Sequence, residues 1–418
     1  MFHELLVSIK LAFKNLRANK GRTVLTLVGV VIGITSVIVV SSAGQGVKDF
    51  VLGQVGSFGT DIIQVEVKVP ATGKASTQNA VGQASGIQIT TMTIDDAEEL
   101  GKIPNVAAYA PGTMAQELAS YQNINKRSFI FGVGAQYIQI DQNTKLEDGS
   151  FFTQAEDDSL AQVAVIGSNV RESFFGNDNP LGKNIKINNQ NYKVIGLVES
   201  RGAVAGFNYD DIIYIPVQTV QKKILGIDYI RFIMVKVKDQ NLIDVTAADL
   251  TDEMRRLHDI TDPDKDDFGV TSIKEAQETI AEVFGTINIL LLALTSISLI
   301  VGGVGIMNIM YVAVVERTFE IGLRKAVGAK TGDILKQFLL EAIFITFAGG
   351  AVGIFLGFLF TLMLSYMFSA LGFNLALSAT AQSIFIATGF SVAVGLIFGY
   401  YPAKKASMLT PMDALRKE

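Results

Sequence analysis

The side chains that could carry out chemistry in this chain are few, and most of them fail on spacing. No cysteine occurs, so disulfides, thiolate metal sites and thiol catalysis are excluded. The two histidines, His3 and His258, lie far apart with no obvious ligand spacing around either, which argues against a metal site. The acidic run Asp262-Pro-Asp-Lys-Asp-Asp267 lacks the alternation and the closing glutamate of a calcium loop and reads as a solvated turn. No Gly-x-x-x-x-Gly-Lys-Ser/Thr sequence is present, and Gly328-Ala-Lys-Thr331 only imitates the end of one, so ATP cannot be hydrolysed by that route. No nucleophile and base stand out as a pair, which leaves a membrane-anchored enzyme with little support.

One charged segment is nevertheless patterned. Glu316-Arg-Thr-Phe-Glu-Ile-Gly-Leu-Arg-Lys-Ala-Val-Gly-Ala-Lys330 lies between two uncharged runs, 283–315 and 342–403, so it is a short loop at a membrane face. Phe319, Leu323, Ala326 and Val327 recur at three- and four-residue spacing and share one face of a short helix. Arg317, Glu320, Arg324 and Lys325 fall largely on the others and are the polar residues available for a contact, while Gly328 supplies a stop. Periodicity alone allows two uses: a helix lying in the lipid headgroups, or a docking helix for a cytoplasmic partner.

The elements that position this loop are spans. About half of the chain is hydrophobic. Residues 23–47 hold a first transmembrane helix in which Gly29 and Gly33 form a small-xxx-small step. A second span covers 283–315, a third 337–367 and a fourth 383–401, joined by an outer loop that contains Gly372, Asn374 and Ser378. Residues 1–22 read as an interfacial helix, 316–336 as the loop described above, and 402–418 as a tail. The spans are expected to be free of charge; Asn288 and Asn308 in the second read as interhelical hydrogen bonders, and Gly349, Gly353 and Gly357 as helix packing. Residues 44–283 hold 21 Lys+Arg and 33 Asp+Glu, net −12, whereas the rest of the chain is net +7. Short basic segments stay in the cytoplasm, so both termini are expected there and 48–282 outside.

That outer stretch alternates like strands at 61–69, 106–121, 128–133, 162–166, 184–187, 192–198, 212–215 and 229–237. Thr93, followed by Asp95, Asp96, Glu98 and Glu99, caps a helix ending near Lys102, and 242–258 is a second helix. Residues 70–86 read as a loop. From Lys274 no obvious breaker precedes Glu316, so one helix of about 42 residues, about 63 Å long, links the outer domain to the charged loop unless Gly302, Gly303 and Gly305 kink it.

The 316–330 segment resembles the loop after the second transmembrane helix in the FtsX/MacB family of ABC-type permeases. The closing run Tyr401-Pro-Ala-Lys-Lys-Ala-Ser-Met-Leu-Thr-Pro-Met-Asp-Ala-Leu415 and the opening run Asn15-Leu-Arg-Ala-Asn-Lys-Gly-Arg-Thr-Val-Leu25 are similar to that family's ends, and 163–196 resembles a segment of MacB-type extracytoplasmic domains. Phe319 departs from the family, which more often has Arg or another polar residue there.

The resemblance implies an α-helical membrane protein with four spans plus a large α+β extracytoplasmic domain. That domain would comprise a mixed α/β subdomain at about 60–115 and 222–274 and an inserted β-rich subdomain at about 116–221. It also implies that Glu316, Arg317, Phe319, Glu320, Ile321, Gly322, Arg324, Lys325 and Gly328 contact a separate ATPase, which binds the ATP; this chain holds no cofactor. Two ATPase copies need two coupling helices, so a homodimer is expected, packed through the first two spans at Gly29, Gly33, Gly302 and Gly303. The expected setting is the bacterial inner membrane, with membrane lipid as a partner, an added membrane-fusion adaptor if the role is efflux, and no nucleic acid. Export or release of a drug, peptide or lipoprotein by mechanotransmission is the first reading. An FtsX-like regulator of a cell-wall hydrolase is the alternative, disfavoured because the FtsX cell-division type has a smaller outer domain.

Overall fold

The computed structural model describes residues 20–70, 88–204, 207–371, 375 and 377–412, with side chains from Leu27 onward. The expected interfacial helix at 1–22 and loop at 70–86 fall almost wholly outside these residues, as do Gly372 and Asn374 of the outer loop and the end of the tail. In chain order the elements begin with α1 (Lys20–Gly56), β1 (Ile62–Val67), α2 (Ile94–Leu100), β2 (Val106–Tyr121), β3 (Ile124–Val133), β4 (Leu146–Gly149) and β5 (Val163–Ile166). There follow α3 (Ser168–Phe175), β6 (Asn184–Ile187), β7 (Gln190–Val198), β8 (Ala203–Val204), β9 (Phe207–Asn208) and β10 (Ile212–Pro216). β11 (Phe232–Val237), α4 (Ile243–Leu257), β12 (Phe268–Ser272), α5 (Ile273–Glu316), α6 (Thr318–Ala326), α7 (Thr331–Ala370) and α8 (Ala381–Met408) complete the chain. Two compact units result, one of residues 1–50 with 281–418 and one of 51–280.

The second unit is built on a ten-stranded sheet in the order β12-β1-β11-β2-β3-β10-β5-β7-β4, with β6 pairing β2 and β7. All pairs are antiparallel except β10 with β3 and β5 with β7. β2 pairs with β11 over its first half and with β3 and β6 over its second. The expected subdomain boundary at 115/116 therefore lies inside one strand, and the sheet runs on through it. On one face, Ile63, Val65, Ile233 and Val235 pack with Ala97 and Leu100 of α2 and Leu250 and Met254 of α4. Thr93 caps α2 as its position predicts: its hydroxyl accepts from the Asp96 amide and Asp96 accepts in return. β12 and β4 were not legible as strands; β12 pairs with β1 directly after the acidic turn.

Two charged clusters tie this unit together. Arg201 Nη1 donates to Asp141 at 2.6 Å, with its guanidinium 4.2 Å from the Tyr209 ring and 5.1 Å from that of Phe58. His258 stands between Asp267, 2.9 Å from Nδ1, and Asp96, 3.4 Å from Nε2, all three largely buried. Hydrogen bonds to Asp267 and Asp96 raise the imidazole from 6.5 to about 9 against the cost of burial. Burial pushes both carboxyls up, but hydrogen bonds, including those from His258, hold them below the usual 3.8.

In the first unit the glycines decide how closely the helices approach. A Cβ on Gly302 of α5 would lie 2.9 Å from the Gly29 carbonyl carbon of α1, and one on Gly33 would strike Leu299 at 2.7 Å. Gly303 faces the Phe398 ring of α8. Gly349, Gly353 and Gly357 of α7 lie against α1 at Leu27, Ile34 and Ile38, and Thr35 Oγ1 donates to the Gly353 carbonyl at 3.0 Å. Contacts within one chain thus reach Gly29, Gly33, Gly302 and Gly303, the four glycines expected at a seam between copies. α5 passes through Gly302, Gly303 and Gly305 without a break, and its 44 residues correspond to about 65 Å. α8 continues past Pro402 to Met408, beyond the expected end at 401, because Pro402 is accommodated inside the helix.

Two outcomes follow from these contacts. The stability that His258 lends is present in full below pH 6.5 and fades as pH rises through about 9, while that of the two carboxylates fades as pH falls below 3.8. In tyrosine-fluorescence unfolding of the purified chain, His258→Gln should differ most from wild type between about pH 4 and 6.5, and a difference that grew toward pH 10 would contradict the assignment. Gly302→Val should cost about 1–3 kcal/mol in a detergent melting assay. Gly285→Ala, where a Cβ meets no atom within 4 Å, should be neutral or stabilising.

Candidate functional site

α6 is nine residues long and both of its ends are fixed by its own sequence. At its start, the Arg317 carbonyl accepts from the Ile321 amide at 3.0 Å. At its end, Gly328 takes φ +103°, its amide donates to the Lys325 carbonyl at 3.1 Å, and the Ala329 amide donates to the Arg324 carbonyl at 3.0 Å. That pair of bonds is a Schellman stop, which demands a left-handed residue and explains the glycine.

The inner face of α6 is locked to the helix bundle. Ile321 is only 3% exposed and belongs to the same apolar core as Ile306, Met310, Phe338 and Ala403, and Gly322 is buried beside it. Arg317 Nη1 lies 3.2 Å from both carboxylate oxygens of Glu341, whose side chain is 3% exposed. Glu341 falls within the expected third span, 337–367, so the expectation of spans free of charge is corrected: one carboxylate enters, and Arg317 neutralises it. Lys325 Nζ donates to the Ser407 carbonyl at the end of α8. Arg317 and Lys325 are thus turned toward the bundle and are not free for an outside contact.

The outer face is apolar. Phe319, Leu323 and Val327 follow one another at i, i+4 and i+8, and are 63%, 51% and 82% exposed. Glu320 and Arg324 flank them, paired at 2.6 Å, and Arg324 also donates to Gln337 Oε1 at 2.6 Å. Glu316, at the end of α5, is exposed. Of the residues expected at the contact, Phe319 is on the exposed face and Ile321 and Gly322 are buried against the bundle. Glu341 was missed because it lies just outside the uncharged run that defines the third span.

Breaking the Arg317–Glu341 pair from one side strands a buried charge. Arg317→Gln or Glu341→Gln should each lower stability in a detergent melt, the former by about 3–5 kcal/mol. The double replacement Arg317→Met with Glu341→Met should recover most of that loss, and equal losses for single and double variants would deny the pairing.

Comparison with known proteins gives matches along almost the whole chain. Residues 23–253 match the MacB-like periplasmic core domain, and residues 292–411 match the FtsX-like permease C-terminal domain. The macrolide export ATP-binding/permease protein MacB of Bdellovibrio bacteriovorus is 35% identical over 417 residues, 99% of this chain and 62% of that protein. Its namesake in Neisseria meningitidis serogroup A is 33% identical over 417 residues, 100% of this chain and 62% of its own length. The chain therefore spans about three fifths of the curated relatives it matches. Among solved structures, the periplasmic region of MacB from Actinobacillus actinomycetemcomitans is 26% identical, with a TM-score of 0.46, covering 54% of this chain and 95% of that one. Four helices among the described residues that are long and apolar enough to cross a membrane, the large α/β domain between the first two, and two family matches that together cover most of the residues place this chain in the MacB/FtsX family of ABC-transporter permeases.

Proposed function

We propose that this chain is a permease subunit that passes the ATP-driven motion of a separate cytoplasmic ATPase to its extracytoplasmic domain, exporting or releasing a drug, peptide or lipoprotein. The observation that carries the proposal is the outward stripe of Phe319, Leu323 and Val327 on a helix whose inner face is locked by Ile321, Arg317 and Lys325. A large apolar stripe flanked by a charged pair is a fitting surface for a protein groove, and a rigid backing lets a push on it reach the spans. The continuity of α5 supports the same reading, since it carries the chain unbroken from β12 to α6. In this reading α6, the basic tail and both termini are cytoplasmic, the membrane is the bacterial inner membrane, and ATP is bound by the partner alone. Two copies of the chain carry two coupling helices for two ATPase subunits, and a membrane-fusion adaptor engages the outer domain in an efflux role. The names of the MacB relatives, which join an ATP-binding part to a permease, support ATP as the driving force.

The proposal is tested at the outer face of α6. Phe319→Asp and Leu323→Asp should abolish co-purification of a co-expressed ABC ATPase while membrane insertion and melting temperature stay unchanged. Phe319→Ala should weaken the complex by about 30-fold, the scale of a buried aromatic anchor. Retention of the ATPase at wild-type levels by both aspartate variants would reject the docking role.

A further inference from the structure

The last turns of α8 are locked on one side and open on the other. Pro402, Ala403, Ala406 and Ser407 are buried against the bundle, and the Ser407 carbonyl takes the Lys325 ammonium of α6. These contacts fix the rotation of the helix. Ile397, Tyr401, Lys404 and Met408, spaced by four, three and four residues, therefore share the opposite face, and all four are exposed. Tyr400 and Lys405 flank this stripe and are exposed as well.

Two cations on this face have only neutral neighbours. The Lys404 ammonium lies 5.9 Å from the Tyr400 ring centroid. That of Lys405 lies 4.6 Å from the Tyr311 ring and donates to the Tyr311 hydroxyl at 2.9 Å. Rings and a phenol hydroxyl hold a lysine in place without cancelling its charge. α8 contains no Asp or Glu, and among the described residues no carboxylate pairs with either lysine. An ammonium has three donors, so Lys405 keeps two after its bond to Tyr311.

Depth decides which anion can reach them. Lys404 lies about 32 Å along the helix from Ser383, close to the ~30 Å thickness of bilayer hydrocarbon. The lysines thus stand at headgroup level with Tyr400 and Tyr401 just inside them, where amphipathic rings settle at a membrane boundary. The anion present at that level is a phospholipid phosphate. A zwitterionic lipid would also bring its own cation up to two ammonium groups, whereas an anionic lipid offers net charge that matches theirs.

We propose that the exposed face at the end of α8 is a binding site for an anionic phospholipid, with its phosphodiester held by Lys404 and Lys405 and an acyl chain lying along Ile397. Lipid held there braces the same turns of α8 that anchor Lys325 of α6.

The chain has no tryptophan, so an introduced one reports its own lipid neighbours. The full chain carrying Ile397→Trp is reconstituted in phosphatidylcholine bilayers and quenched with brominated-chain phosphatidylglycerol or brominated-chain phosphatidylcholine. The anionic lipid should bind beside the reporter about 5- to 30-fold more tightly, the scale of one to two lysines at a membrane surface. Tyr401→Trp, one turn nearer the lysines, should show the same preference, and Phe355→Trp, exposed on α7, should show none. In the reporter chain, Lys404→Gln with Lys405→Gln should bring the preference close to one, whereas Lys404→Arg with Lys405→Arg should keep it. Salt at about 1 M should weaken it. Equal quenching by the two lipids at both reporters would overturn the site, as would a preference that survives the double glutamine change. If lipid preference is absent and the double glutamine variant instead loses a co-expressed ATPase, the lysines belong to a protein partner and the lipid site is rejected. The quenching contains no ATPase, so its failure leaves the coupling role of α6 standing.

Discussion

Backbone touches backbone where Gly29 meets Gly302, and the remaining packing of the spans depends on that approach. In lipid there is no hydrophobic gain from bringing two helices together, so close van der Waals contact must supply the attraction, and any side chain between the helices would remove it. With α1 drawn onto α5, α7 lies along α1 through Gly349, Gly353 and Gly357, and α8 lies against α7 through Gly350, Gly395 and Gly399. Ser391 reinforces the last contact by donating to the Thr346 carbonyl at 2.7 Å. Glycines thus set the closest approaches in the bundle, and Ile34, Ile306, Met310 and Phe338 fill the core around them.

This distribution explains which features were legible in the sequence. Span number and strand β2 could be read directly, because uncharged length and alternation are properties of one segment. Partners could not. A glycine step announces a close approach without saying to what, and here Gly29 found Gly302 in its own chain. The faces of α6 were legible, but their direction was not: Ile321 and Gly322 turn inward and Phe319 outward because α7 and α8 pack behind them. His258 gave no signal because one carboxylate partner, Asp96, is 162 residues away. Glu341 gave none because its partner Arg317 belongs to a different element.

The outer unit meets a different constraint. A sheet of ten strands needs strands long enough to cross from one core to the next, and β2, with 16 residues, does so. Its first half faces the apolar layer under α2 and α4, and its far end places Ala119 in the core with Ile185, Tyr192 and Val194. Arg201 and His258 each bridge separate segments through charged contacts, the one to Asp141 and the other to Asp96 and Asp267. Charged groups are used here as Arg317 and Glu341 are, buried and paired.

The anchors of α6 also differ in when they become available. Arg317 and Glu341 are 24 residues apart, so the pair can close as soon as α7 enters the bilayer, and the arginine is already synthesised when the carboxylate needs it. Lys325 must wait for Ser407, 82 residues later, at the end of the last helix. A nascent chain that has inserted three spans therefore carries α6 with one anchor made and the other missing. The apolar stripe of Phe319, Leu323 and Val327 takes its final position only when the fourth span is in place, so that the exposed surface of α6 is set by the last helix to be made.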